Sequence, residues 1–275
     1  MRPSAFGVVL WAAACVALAF LLIPIVAIFS ELTLGELRDG LTSDVARDAL
    51  RVTAETNLVA MALILLFGTP TAYLLASRSF RGRTLLVTLV ELPLVLPPAV
   101  AGIGLLAAFG RLGLLGGTLE SLGVDIAFTK VAVILAVTFV ASPFYVRTAI
   151  AAFEAVDPDL VAASRTLGAG PARTFGRVAL PLASGGLGAG AALAFARGLG
   201  EFGATIMFAG SLQGVTQTLS LAVYQEFDVD FDTALAIGAL LVLGSALVLF
   251  AAKVIPSWRR SASTSITVSA PSVSR

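Results

Sequence analysis

Two charged residues, Arg197 and Glu201, lie four positions apart inside an otherwise apolar stretch of the chain. A separation of four residues places both side chains on one face of a helix, where they can form an ion pair. Charges in a membrane-spanning segment are costly and usually face the bundle interior or water. The pair therefore has two interpretations. It neutralises itself near a helix end, or it lines a pathway and helps set its closed state.

A second apolar stretch, 85–109, contains Glu91 and three prolines, among them Pro97 and Pro98. Proline lacks the backbone N–H and interrupts the helical hydrogen-bond ladder. Irregular backbone inside a membrane is tolerated only against protein or a water-filled cavity. We therefore expect the break to face the protein interior, and the hypothesis is that it forms a gate.

Catalytic chemistry has few possible carriers in this chain. The sequence has no histidine, which excludes a histidine base, proton relay or histidine metal site, and its one cysteine, Cys15, lies in an apolar run. No GxxxxGK[ST] nucleotide loop occurs. A net charge of +1 gives no support to a nucleic-acid partner. We therefore expect no catalytic residue, metal or cofactor in this chain.

The composition is that of a protein dissolved in lipid. Of 275 residues, 58% are hydrophobic and 13% are charged, with a mean hydropathy of +0.97. Soluble domains are typically about 45–50% apolar and about 25% charged. We therefore predict an all-α, polytopic membrane protein with one transmembrane domain over 1–260 and a disordered tail over 261–275.

Six stretches are long enough to cross the hydrocarbon core, which takes roughly 20 apolar residues. The first is too long for the apolar region of a cleaved signal peptide. The predicted spans are 5–29, 58–76, 85–109, 131–153, 182–209 and 234–255.

The loop charges predict the orientation, because Lys and Arg favour the cytoplasmic side. The loops after the second and fourth spans each hold three arginines, whereas the loop after the fifth holds four acids and no Lys or Arg. Both termini are therefore predicted to be cytoplasmic, which agrees with an even number of spans.

The longest cytoplasmic loop, 154–181, is predicted to form a helical hairpin. Asp157 and Pro158 are typical of a helix start. The glycines and proline of 168–171 stop this first helix, and Gly168 permits the positive φ of a helix end. A second short helix is expected over 172–180, ending before Pro181.

The hairpin resembles the EAA loop of ABC importer permeases. Gly168 is followed after nine residues by Val178, and Leu180-Pro181 closes the pattern, at the spacing of that family. The first part departs from it, since Ala162 stands where the family has Glu and Ser164 replaces the second Ala. The resemblance implies that an ATPase partner is contacted by Ala162, Ala163, Arg165, Thr166, Leu167, Gly168 and Ala169.

Three other segments resemble permeases for molybdate and related oxyanions, namely 91–102 with 109–113, 195–210 and 217–224. The resemblance covers about 57–255 and implies a type I ABC importer permease fold. It also implies a homodimeric pore in the bacterial plasma membrane, ATPase subunits that carry ATP-Mg, and an extracytoplasmic oxyanion-binding protein. The implied candidates for the pathway or gate are Glu91, Pro97, Pro98, Arg197, Glu201, Phe202, Gly203 and Thr205.

Three rival functions remain open. The first is a permease for tungstate or for sulfate or thiosulfate, since these permeases are the nearest relatives of the molybdate permeases. An ion-driven secondary transporter would need a midplane ion site, often with inverted repeats, and we find no convincing repeat. A membrane enzyme is disfavoured by the lack of histidine and of a carboxylate cluster in the spans.

Overall fold

The computed structural model describes residues 5–263, and for Ala5, Ala252, Lys253 and residues 255–263 only the backbone is described. Of the predicted tail, residues 264–275 lie outside the described residues, and 261–263 end the last helix. The described residues form helices and no strand.

The helices, in chain order, are α1 (Ala5–Ser30), α2 (Leu34–Thr42), α3 (Asp44–Ser77), α4 (Arg83–Val95), α5 (Pro98–Phe109), α6 (Gly116–Ser121), α7 (Lys130–Glu154), α8 (Pro158–Thr166), α9 (Pro171–Thr174), α10 (Leu180–Leu199), α11 (Gly203–Ala209), α12 (Leu219–Glu226) and α13 (Phe231–Ser263). A π-helical turn over Phe175–Ala179 joins α9 to α10.

The prediction of about six membrane spans is confirmed. Five helical segments among residues 5–263 are long and apolar enough to cross a bilayer, and a bent pair makes up the sixth. That pair is α4 and α5, which meet at an angle of 113°. Leu96 has an extended backbone, and Pro98 begins α5. The span predicted over 85–109 is therefore two helices, because the prolines remove the hydrogen bonds that would join them.

The span predicted over 182–209 is also interrupted. Its helix ends at Leu199, and α11 begins at Gly203 after a non-helical stretch of three residues. The carboxylate of Glu201 accepts the N–H of Ala204 at 2.7 Å. A carboxylate that accepts an N–H group in the first turn of the next helix favours a new start over continuation of the old helix. Hydropathy alone does not detect this break, because both sides of it are apolar.

The second short helix of the hairpin does not end before Pro181, contrary to prediction. Helical backbone runs from Pro171 to Leu199 as a single candidate span of 29 residues. In the π-helical turn, the N–H of Leu180 donates to the carbonyl of Phe175, five residues back. Such a bulge widens the helix locally. Pro181 directly follows this turn as the second residue of α10, and it has no N–H to donate.

By contacts, the described chain divides into two units, 5–54 with 211–244 and 55–210 with 245–263. In the first unit, a small apolar cluster joins α3, α12 and α13 through Ala46, Leu219 and Ile237. Thr53 accepts the N–H of Leu219 at 2.8 Å and so satisfies the start of α12. Asp230 caps α13, and its bonds to Thr233 lower the pKa of that carboxyl.

The second unit is built around α7, which is buried along much of its length and packs against α10. Small residues allow close packing elsewhere in this unit. At Gly102 of α5, an added Cβ would lie 2.5 Å from the carbonyl oxygen of Ala204 and 2.8 Å from the Cβ of Met207. The backbones of α5 and α11 therefore approach each other closely, as membrane helices do at small residues.

We predict that Gly102→Ala destabilises the protein by about 1–3 kcal/mol, because the new methyl group overpacks a backbone contact. Gly104→Ala is the matched control, since it lies on the same helix and an added Cβ would meet nothing within 4 Å. Thermal unfolding in detergent measures both. Equal unfolding temperatures for the two variants would contradict the close approach of α5 to α11.

Candidate functional site

The breaks in the two interrupted spans meet at one pocket of about 400 Å³. Six of the eight residues predicted for a pathway or gate lie in its wall. The complete lining is Pro97, Pro98, Ala99, Arg197, Gly200, Glu201, Phe202 and Gly203. The structure therefore brings together two segments that are about 100 residues apart in sequence, and both contribute irregular backbone.

The ion pair predicted between Arg197 and Glu201 is present, with Nη2 of Arg197 2.7 Å from Oε2 of Glu201. The carboxylate is 1% exposed and the guanidinium side chain is 27% exposed. Glu201 is therefore held inside the protein by Arg197 and by the N–H of Ala204, whereas Arg197 reaches the pocket. Because its counter-ion is buried, the pocket presents a cation whose charge is partly neutralised.

Gly203 lies in the pocket wall where the start of α11 meets the start of α5. A Cβ at this position would lie 2.7 Å from the Cβ of Pro98 and 3.2 Å from the backbone nitrogen of Ala99. Only a residue without a side chain allows the start of α11 to come this close to the start of α5. Thr205, in contrast, is fully buried within α11 and is not part of the pocket wall.

Asn57 is a residue at this site that sequence reasoning missed. It is 1% exposed on α3, and its side-chain amide donates to the carbonyl of Phe195 at 3.4 Å. Its Oδ1 is buried beside Gly198, where an added Cβ would approach it to 2.5 Å. The only sequence signal was a lone amide at the start of an apolar stretch. Asn57 holds the end of α10, where Arg197 lies.

Glu91 does not join the pocket. It lies on α4 and pairs with Arg147 of α7, whose Nε is 3.4 Å from its Oε1. Local sequence does not predict this pairing, because the two residues are 56 positions apart. A second ion pair joins the same two helices, between Arg83 and Glu154.

The hairpin presents a different kind of site. Asp157 accepts the N–H of Asp159 at 2.8 Å and begins α8, as predicted. Gly168 has a φ of +83°, and the N–H of Ala169 donates to the carbonyl of Ser164 at 3.0 Å. With the bond from Gly168 to Arg165 at 2.9 Å, this is the Schellman ending of a helix. The predicted stop at Gly168 is therefore confirmed.

One face of this hairpin is exposed, and the other face is bonded within the hairpin. Ser164 bonds the buried Thr174 at 3.0 Å and so ties α8 to α9. Leu167 is 89% exposed beside the turn. The other exposed residues of the predicted contact set are Ala162, Ala163, Arg165, Thr166 and Gly168, and Ala169 is half-buried. Small side chains around one exposed leucine suit the close docking of another surface.

Residues 64–260 match the family of binding-protein-dependent transport system inner membrane components. This match covers more than half of the chain. The chain belongs to that family. As a family member with several apolar helices, it is a multi-pass membrane protein.

Two relatives are similar to this chain over most of their length. The molybdenum transport system permease protein ModB of Mycobacterium bovis is 44% identical over 231 residues, covering 84% of this chain and 88% of that protein. The sulfate transport system permease protein CysT of Salmonella typhimurium is 36% identical over 243 residues, covering 86% and 87%.

Solved transporters share the fold at low identity. A bacterial alginate ABC transporter in complex with its pentasaccharide-bound periplasmic protein aligns with a TM-score of 0.68 at 17% identity, covering 93% of this chain and 96% of that chain. The MetNI methionine ABC transporter aligns with a TM-score of 0.59 at 21% identity, covering 78% and 95%. The predicted type I ABC importer permease fold is thus confirmed for this inner-membrane component.

We predict that Arg197→Met destabilises the protein by about 3 kcal/mol, because it leaves the carboxylate of Glu201 buried without its cation. Adding Glu201→Gln should recover most of this loss, since the amide carries no charge and still offers an oxygen to the N–H of Ala204. Chemical unfolding of the single and double variants in detergent measures the effect. Destabilisations that simply add would contradict a direct pair.

Proposed function

We propose that this chain is the permease subunit of an ATP-driven molybdate importer, in which two copies form the pathway. The hairpin 154–181 faces the cytoplasm and receives the motion of ATPase subunits. A binding protein on the other side of the membrane delivers the anion. The chain itself performs no catalysis, and it supplies a route and a mechanical connection.

One observation carries this proposal: the helical backbone is continuous from the hairpin to the pocket. The segment Pro171–Leu199 begins beside the exposed turn at Gly168 and ends where Arg197 and Gly200 line the pocket. At about 1.5 Å per residue, 29 residues span roughly 43 Å, which exceeds the hydrocarbon thickness. A force applied at the hairpin therefore reaches the pocket through one continuous helical segment.

The pocket suits an anion in passage better than an anion at rest. Arg197 attracts negative charge, but Glu201 holds its guanidinium at 2.7 Å and cancels part of that attraction. Conduction requires sites that are favourable enough to enter and weak enough to leave. High affinity then belongs to the external binding protein, and the permease only lowers the barrier for an oxyanion.

Molybdate is proposed over other oxyanions because of the relatives. The molybdenum permease of M. bovis is 44% identical, whereas the sulfate permease of S. typhimurium is 36% identical over a similar share of the chain. Sulfate is the second candidate, since it is also a tetrahedral dianion and its permease is similar over 86% of this chain.

We expect Gly168→Asp to uncouple the importer. The φ of +83° strains other residues, and the new charge lies at the exposed turn where the ATPase would dock. In proteoliposomes with the ATPase and binding protein, ATP hydrolysis should continue while uptake falls about tenfold or more, which corresponds to about 1.4 kcal/mol of lost coupling.

The control is Gly170→Asp, which adds the same charge two residues later. Gly170 has an ordinary φ of −68°, and nothing lies within 4 Å of an added Cβ. Coupled uptake in the Gly168 variant would remove the role assigned to the hairpin.

Uptake that persists without ATP and follows an ion gradient would instead favour a secondary transporter.

The anion is tested by competition. With the cognate binding protein present, unlabelled molybdate should reduce the uptake of labelled molybdate at a lower concentration than sulfate does. Tungstate should compete comparably with molybdate, because these two tetrahedral dianions have nearly the same size and sulfate is smaller. More effective competition by sulfate would move the assignment to a sulfate permease.

A further inference from the structure

The helices on either side of the proline break are held to the protein in different ways. Three residues of α5 are buried, and its Gly102 packs directly against backbone atoms of Ala204. On α4 no residue is buried within this chain. Only Val87 and Val90 face the apolar cluster behind it, and both are partly buried. Of the two arms, α5 is therefore packed more closely within this chain than α4 is.

Two ion pairs connect α4 to its neighbour α7. Arg83 at the start of α4 pairs with Glu154 at the end of α7, and Glu91 pairs with Arg147. Each helix contributes one acidic and one basic residue to the two pairs. The paired residues are eight positions apart on α4 and seven positions apart on α7. At 1.5 Å per residue, these spacings are roughly 12 Å along α4 and roughly 10 Å along α7. The two helices are thus antiparallel and held in register.

The inner pair lies within the membrane-spanning part of both helices. Arg147 is 68% exposed and Glu91 is 37% exposed in the single chain. Charged side chains in spans do not face lipid, and they line the bundle interior or a water-filled cavity. A contact at 3.4 Å between side chains that are this exposed in the single chain is weak. It can therefore break and re-form during a transport cycle.

The helix that carries Arg147 also leads directly into the hairpin. α7 continues to Glu154, and the hairpin helix α8 is capped by Asp157 only three residues later. A displacement of the hairpin is therefore transmitted to α7 as well as to α10. Through α7 it meets α4, whose far end is the bend at Pro97 and Pro98.

We propose that Glu91 and Arg147 are positioning residues that couple α4 to α7, so that movement of the hairpin swings α4 about the proline break and opens the pocket. This inference rests on the proposed function as an ATP-driven importer. α5 stays packed on α11 and is the fixed side of the hinge. Glu91 acts on the pocket through α4 and does not touch the anion there.

The test reverses the charges of this pair in the complete transporter with its ATPase and binding protein. Glu91→Arg and Arg147→Glu should each lower the number of anions imported per ATP hydrolysed by about two- to thirty-fold, the usual range for residues that carry coupling. ATP hydrolysis should persist. The double variant, Glu91→Arg with Arg147→Glu, should restore the ratio towards that of the wild type because it re-forms the pair with opposite polarity.

Arg81→Glu is the matched control, since it reverses an exposed charge just before α4 and no ion pair to Arg81 is present among residues 5–263. Its import ratio should equal that of the wild type. If a charge reversal impairs folding, the neutral variants Glu91→Gln and Arg147→Gln are used in its place. They should also lower the number of anions imported per ATP hydrolysed.

A double variant that folds but does not recover, or single variants with an unchanged ratio, would overturn the coupling role. The proposed function fails in a different way, namely if the wild-type complex imports anion without ATP. The same preparation therefore distinguishes failure of the pair from failure of the transporter assignment.

Discussion

The structure depends on one constraint, namely that unsatisfied backbone cannot face hydrocarbon. This chain interrupts two of its spans, once at Pro97–Pro98 and once at residues 200–202. Each interruption would be costly alone in lipid. The fold places both at the same pocket, where the carboxylate of Glu201 accepts one of the freed N–H groups. The irregular backbone that lines the pocket is thus also the backbone that must be hidden from lipid.

The same constraint explains why small residues surround the pocket. Gly102 lets α5 approach α11, and Gly203 lets the start of α11 approach Pro98, with distances that a side chain would not allow. Close approach replaces the hydrophobic driving force that membrane helices lack between one another. The α4 side lacks such a close approach, and it contacts α7 through two ion pairs and through Val87 and Val90 at the apolar cluster.

The charged residues follow a consistent pattern. Arg197 pairs with Glu201 in the pocket wall, and Arg147 pairs with Glu91 outside the pocket, so each of these two arginines has its own carboxylate. Pairing lowers the cost of placing a charge away from water, and it keeps either arginine from binding an anion strongly. The buried acid of the first pair fixes a helix end, whereas the exposed second pair joins two helices.

Much of this protein was determined by local sequence alone. Hydropathy predicted about six spans, the helix caps predicted the hairpin at Asp157 and Gly168, and a spacing of four predicted the pair at Arg197. These features depend on residues within one or two helical turns. The pairing of Glu91 with Arg147, the support from Asn57 and the meeting of the two breaks depend on residues far apart in the chain. Only packing decides such features, since the free energy of a long-range contact depends on which helices become neighbours.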